Sequence, residues 1–309
     1  MTLRLSLPRP ALGLVSAVLA VAAVSTACAP TSSGGSTTTK ASDSATPAGS
    51  DSASPSQSAN PCARDVLETT SPDTLTIATD KPVYEPWFVD DKPENGKGFE
   101  GAVAQAVAGQ LGYTPDEVTW VRVPFNSVFK PTAKNWDFDI NEFSITQERK
   151  AAVDFSSPYY DVAQAVVTTK GSKAAGVTTL AGLKGLSLGA QVGTTSFEAI
   201  NTVIAPSAKP KVFNSNNDAV RALENGQIDA LVTDLPTAFY MAAAQLKKGQ
   251  IVGQLPIGTG TPEQFGLVLD KDSKLTTCVS GAVDALKADG TLDKLVTQWL
   301  SQAGAPVLG

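Results

Sequence analysis

The sequence predicts an α/β protein made of two units, each a largely parallel sheet covered by helices. Three observations support this. Apolar runs of strand length alternate with helical periodicities from Leu75 to the end of the chain. The 309 residues allow two compact units at about 100 to 200 residues each. Apolar residues make up 42% and charged residues 17%, an ordinary globular balance.

The elements follow in order. Leu75 to Thr79 (LTIAT) reads as a short buried strand that ends at Asp80. Val103, Val107 and Leu111 recur at helical spacing, and Gly112 supplies a stop. Strands are expected at 118–123 and 138–143, with Thr146 capping a helix that carries Arg149. Further strands are expected at 162–169, 187–190, 228–233 and 265–269. Helices at about 196–204, 216–225 and 235–248 lie between them, and two more, near 275–289 and 292–301, close the chain.

Composition excludes several functions. Lys plus Arg is 24 against Asp plus Glu 30, a net charge of −6 with no basic tract, so nucleic acid is not an expected partner. The chain has no histidine, which removes Ser-His and Cys-His nucleophile pairs, the HExxH protease and His-ligated zinc. The acids are dispersed without calcium-loop spacing, and no glycine run forms a phosphate cradle. No metal or other cofactor is expected.

The N-terminus is read separately. Arg4 and Arg9 precede an uncharged stretch over 11–27, the layout of a signal peptide (1–27) and too short for a bilayer span of about 20 residues. The run from Ser25 to Cys28 looks like a bacterial lipobox, with Cys28 as the lipidated residue, although Ser25 stands where that motif prefers Leu, Val or Ile. An ordinary cleaved signal is the alternative. Removing Arg4 and Arg9 with the signal takes the net charge from −6 to −8. Residues 28–61 are mostly Ser, Thr, Ala, Gly and Pro and read as a flexible tether. If Cys28 carries lipid, Cys62 and Cys278 remain, and export makes a disulfide between them the expectation over two free thiols.

Candidate site residues cluster at strand ends, where ligands settle in α/β sheets. Ser144 and Thr146 offer hydroxyls at a helix N-terminus, and Arg149 can grip a carboxylate with two parallel hydrogen bonds. A capped helix with a surface arginine is the plainer reading. Gly193, Thr194 and Thr195 open another helix, and Asp234, at a third strand-to-helix turn, can receive an ammonium group or simply cap the helix. Tyr84, Trp87 and Phe125 sit in neighbouring loops as aromatic walls or core. Together these groups suit a zwitterion.

The same residues carry a resemblance. LTIATD ending at Asp80, SITQERKAAVDFSSPYY at 144–160 and GAQVGTTSFEAI at 189–200 are its first landmarks. NGQIDALVTDL at 225–235, EQFGLVL at 263–269 and LKADGTLDKLVTQWL at 286–300 complete it. From about Leu75 to Trp299 the chain resembles bacterial solute-binding proteins of the polar amino acid ABC importer class, family 3. The resemblance implies a periplasmic-binding-protein-like type II fold, with two lobes joined by a two-crossing hinge. Lobe one is expected at 62–163 and 261–309, lobe two at 164–260, and the hinge at 159–163 and 261–264.

It also implies roles. Arg149 matches the arginine for the ligand α-carboxylate, aided by Thr195, Thr194 and Ser144, and Asp234 matches the acid for the α-ammonium. Phe125 matches a stacking aromatic, Tyr84 another aromatic, and Asp80 a side-chain contact, with Gln191 in the adjoining motif. Glu142 stands where the family usually has glycine, and its charge is expected to favour a polar or cationic ligand side chain over an acidic one. The implied partners are a free amino acid, an ABC permease and the membrane beneath the lipid anchor, at the outer face of the cell membrane. An extracytoplasmic dehydratase-like enzyme using Glu142 as acid, or a receptor for a membrane sensor, are the alternatives.

Overall fold

The computed structural model of the protein describes residues 60–257, 262–300 and 304–309. The expected signal peptide, Cys28, the tether up to residue 59 and Thr261 of the hinge lie outside them.

The first lobe begins with β1 (Leu75–Thr79), all five residues buried, as in a strand covered on both faces. Helix α1 (Phe99–Gln110) buries Val103 and Val107, and Gly112 adopts the left-handed φ of 87° that ends a helix cheaply only for glycine. After β2 (Val118–Arg122) come β3 (Phe138–Asp139), α2 (Gln147–Lys150) and β4 (Asp154–Phe155). The strand expected over 138–143 is therefore short. Beyond Asp139 the chain turns, and Glu142 sits at a left-handed φ of 52°, outside strand geometry.

β5 (Tyr160–Val162) leads into the second lobe, which holds β6 (Gln164–Thr169), α3 (Leu180–Leu183), β7 (Leu188–Gln191) and α4 (Thr195–Ala199). There follow β8 (Lys211–Phe213), α5 (Asn216–Glu224), β9 (Ala230–Asp234), α6 (Leu235–Tyr240) and β10 (Gly249–Gln254). Residues Ile200–Ile204 and Met241–Gln245 extend α4 and α6 as π-helical turns. The return strand β11 (Glu263–Phe265) leads back to β12 (Val268–Leu269), α7 (Thr276–Ala288) and α8 (Thr291–Trp299) in the first lobe.

The sheets are mixed, where the sequence suggested largely parallel ones. The first has the order β2-β1-β3-β12-β4, with β1 parallel to β2 and β3 but β12 antiparallel to β3 and β4. In the second, β10-β6-β9-β7-β8, strands β7, β8 and β9 run parallel, while β6 is antiparallel to β9 and β10. The reason is the two lobe crossings, which bring β6 and β12 in from the neighbouring lobe against the strand direction. Between the lobes β5 and β11 pair antiparallel, with Tyr160 opposite Phe265.

Cys62 and Cys278 are disulfide-bonded, tying the start of the folded chain to α7. One part of 261–309 departs from the expected division. Leu300 is buried in the first lobe's core, but Leu308 is buried in the second lobe's, and the Leu308 N–H donates to Gln254 O at 2.9 Å. The apolar side chain of Leu308 finds its cover beside β10, so the end of the chain belongs with the second lobe.

Candidate ligand cleft between the lobes

A cavity of about 270 Å³ opens where the strand ends of both sheets converge. Ten of the expected residues line it: Asp80, Tyr84, Phe125, Glu142, Ser144 and Arg149 from the first lobe, and Gln191, Thr194, Thr195 and Asp234 from the second. Lys81, Asn126, Ser196 and Asn214 to Asn216 are among the other residues of the wall.

Arg149 is held from both sides. Its Nη1 donates to Ser144 O at 2.8 Å and its Nη2 to Gly193 O at 3.0 Å, so one guanidinium touches both lobes. The Phe125 and Phe129 rings face it at 5.5 and 4.8 Å, fixing its plane by cation–π contact. Phe125 in turn stacks on Phe143 at 4.9 Å. Gly193 has a φ of 73°, and a Cβ there would stand 2.1 Å from Asn126 Oδ1, so glycine permits this close approach of the lobes. Ser144 and Thr195 hydroxyls meet across the cleft at 3.2 Å.

Asp234 ends β9 but does not cap α6. Its Oδ1 accepts from Gln164 Nε2 at 2.7 Å, which leaves carboxylate oxygen capacity facing the cavity. Burial, reinforced by Glu263, pushes its pKa well up, with Arg149 opposing. Burial raises Asp80 as well and takes the Tyr84 phenol up to about 12. The Arg149 guanidinium is lowered by burial.

Two expected residues play other parts. Thr146 does not line the cavity: its hydroxyl caps α2 by accepting from the Arg149 N–H at 3.1 Å. Thr194 reaches the wall, but its Oγ1 caps α4 through the Phe197 N–H and donates to Gln191 O. Both obey the ordinary preference of Thr for helix N-caps, which short spacing cannot distinguish from ligand contact.

Glu142 meets the cleft with its side chain already engaged. Its backbone N–H donates to Glu100 Oε1 at 2.6 Å and its Oε2 accepts from Thr237 Oγ1 at 2.8 Å. Burial, with the Asp234 and Glu100 carboxyls nearby, pushes its pKa well up. Glu100 itself rises to about 7 through burial.

Sequence reasoning missed the groups behind the wall. Glu263 on β11 accepts from the Thr195 hydroxyl and from Gln164 Nε2, and Ser196 donates to Gln164 Oε1 at 2.6 Å. Glu263 stood inside the EQFGLVL landmark, but nothing local marked its role, since its partners are 68 and 99 residues away.

A family model for bacterial extracellular solute-binding proteins, family 3, matches residues 75–302. The chain belongs to this family. Its relatives include the ABC transporter glutamine-binding protein GlnH of Bacillus subtilis (strain 168), 34% identical over 68% of this chain and 76% of that one. The ABC transporter arginine-binding protein 1 of Escherichia coli (strain K12) is 31% identical over 66% of this chain and 82% of its own. Among solved structures, an ancestral arginine-binding protein bound to arginine superposes with a TM-score of 0.62 at 32% identity, over 74% of this chain and 99% of that one.

Proposed function

We propose that this solute-binding protein captures one free amino acid between its lobes, with a polar or cationic side chain favoured, and delivers it to an ABC permease. Cys28 would carry the lipid that holds it at the outer face of the cell membrane. The observation that carries the reading is that Arg149 and Asp234, from opposite lobes, line one cavity.

The chemistry follows from their complementarity. Arg149 receives the α-carboxylate, aided by the Ser144 hydroxyl as it turns from Thr195, whose own proton is held by Glu263, and Asp234 receives the α-ammonium. A single ligand then satisfies groups on both sides and favours the closed arrangement by differential affinity. Phe125 and Tyr84 flank the side chain, and Asp80 meets its end. A cavity of about 270 Å³ suits one small metabolite, just under the usual range for drug-sized ligands.

Charge supports the side-chain preference. Asp80, Glu142 and Asp234 share the wall with the half-buried Arg149 and the exposed Lys81, and burial raises the pKa of all three acids. A cationic group among them relieves their repulsion, and a further carboxylate adds to it. The names of the glutamine- and arginine-binding relatives agree with this preference. Calorimetric titration with the common amino acids is expected to show one-to-one binding without turnover, L-arginine or L-glutamine ahead of L-glutamate. Tighter binding of L-glutamate than of L-glutamine would overturn the charge argument.

A further inference from the structure

The lobes also touch through a buried relay that involves none of the groups assigned to the ligand's α-carboxylate or α-ammonium. Trp87 Nε1 donates to Thr237 Oγ1 at 2.7 Å, and Thr237 Oγ1 donates to Glu142 Oε2 at 2.8 Å. Trp87 and Glu142 belong to the first lobe, and Thr237 lies on α6 of the second. Trp87 is 0% and Thr237 1% exposed, so neither finds water in place of the other.

The direction of the relay is fixed by chemistry. An indole N–H can only donate, so the Thr237 oxygen accepts from Trp87 and its single proton is free for Glu142. Glu142 Oε2 accepts that proton whether or not Oε1 is protonated, so the relay survives the raised pKa of this carboxyl. Trp87 is held rigid by Phe99, Tyr160 and Phe265 rings at 6.0, 5.8 and 5.6 Å. Glu142 is pinned by its backbone bond to Glu100 and held at a φ of 52°, where a residue with a Cβ is disfavoured. The position keeps a long side chain despite that backbone preference, and the side chain reaches Thr237.

We propose that Trp87, Thr237 and Glu142 form a clasp that draws the lobes together on its own account, making Thr237 a positioning residue for ligand capture. Separating the lobes breaks both bonds and leaves a buried donor and acceptor to find water. The clasp therefore biases the opening equilibrium toward closure before the ligand contributes, and raises affinity by lowering the cost of closing.

The effect on affinity rests on the capture reading, whereas the effect on the ligand-free protein does not. The test compares wild type with Thr237→Val, which keeps the shape but loses the hydroxyl, and Thr237→Ser, which keeps the hydroxyl. In ligand-free protein the Trp87 indole proton, assigned through Trp87→Phe, is expected to exchange about tenfold faster in Thr237→Val and at the wild-type rate in Thr237→Ser. The Kd for L-arginine or L-glutamine is expected to weaken about 5- to 100-fold in Thr237→Val and to recover in Thr237→Ser. Glu142→Gly, which relieves the left-handed backbone, is expected to quicken the indole exchange of the ligand-free protein without lowering the thermal midpoint, and so covers the case in which Thr237→Val folds poorly. Equal indole exchange in wild type and Thr237→Val, or binding by that variant within about twofold of wild type, overturns the clasp. Were wild type to bind no amino acid at all, the capture reading would fail while the indole exchange still decided the clasp.

Discussion

Replacing Arg149 tests the proposed chemistry of the cleft most directly. Its guanidinium contacts Ser144 O and Gly193 O at 2.8 and 3.0 Å and lies against two phenyl rings, so it is oriented before any ligand arrives. Such a group can offer two parallel N–H bonds to a carboxylate, which a lysine ammonium in its place cannot. In Arg149→Ala the ligand carboxylate would enter a wall holding Asp80, Glu142 and Asp234, with the exposed Lys81 as the remaining cation. Loss of one partner of a desolvated charge pair costs about 2 to 5 kcal/mol, a weakening of roughly 30- to several-thousand-fold. Arg149→Lys should fall between alanine and wild type.

The assay is calorimetry with L-arginine and its decarboxylated analogue agmatine. Wild type is expected to prefer the amino acid strongly, and Arg149→Ala to erase most of that preference, because only the carboxylate distinguishes the two probes. If Arg149→Ala weakened both probes equally, or bound L-arginine within about threefold of wild type, Arg149 would not be the carboxylate receptor.

Two further outcomes concern stability. Burial raises Glu100 from its ordinary 4.5 to about 7, so between those pH values the folded protein holds a proton that the unfolded chain has released. This contribution is fully present below about pH 4.5 and is lost as pH rises through 7, by up to roughly 3 kcal/mol. The thermal midpoint of wild type should fall across that window more steeply than that of Glu100→Gln, and parallel slopes would remove Glu100 as the cause. The Cys62–Cys278 bond spans 216 residues, and reducing it should cost roughly 5 kcal/mol on the chain-entropy account. A urea midpoint unchanged by reductant would show that the bond constrains little.

The strand and helix runs were readable because each is a local pattern. The five residues of β1, three apolar and two threonine, are uniformly buried, and Val103 and Val107 lie on the inner face of α1 as their spacing indicates. Strands β4 and β8, of two and three residues, carry too little pattern to be found, and β10 (GQIVGQ) is two-thirds glycine and glutamine. Spacing alone left Asp234 and Thr146 undecided between cap and ligand contact. The fold separates them: Asp234 leaves α6 uncapped and faces the cavity, while the Thr146 hydroxyl is consumed by α2.

The sequence by itself determined the strand-helix alternation, the family landmarks and the complementary charges at the strand ends, and it made Cys62 and Cys278 a pair only on the expectation that Cys28 carries lipid. These are properties of residue type and short-range order. Only the tertiary structure decided which groups meet across the lobes. Glu142 reaches Thr237, 95 residues away, Trp87 reaches the same hydroxyl across 150, and Glu263 stands behind Thr195. Such contacts depend on how two sheets and their crossings bring distant strand ends together, and no periodicity in a single chain records that geometry.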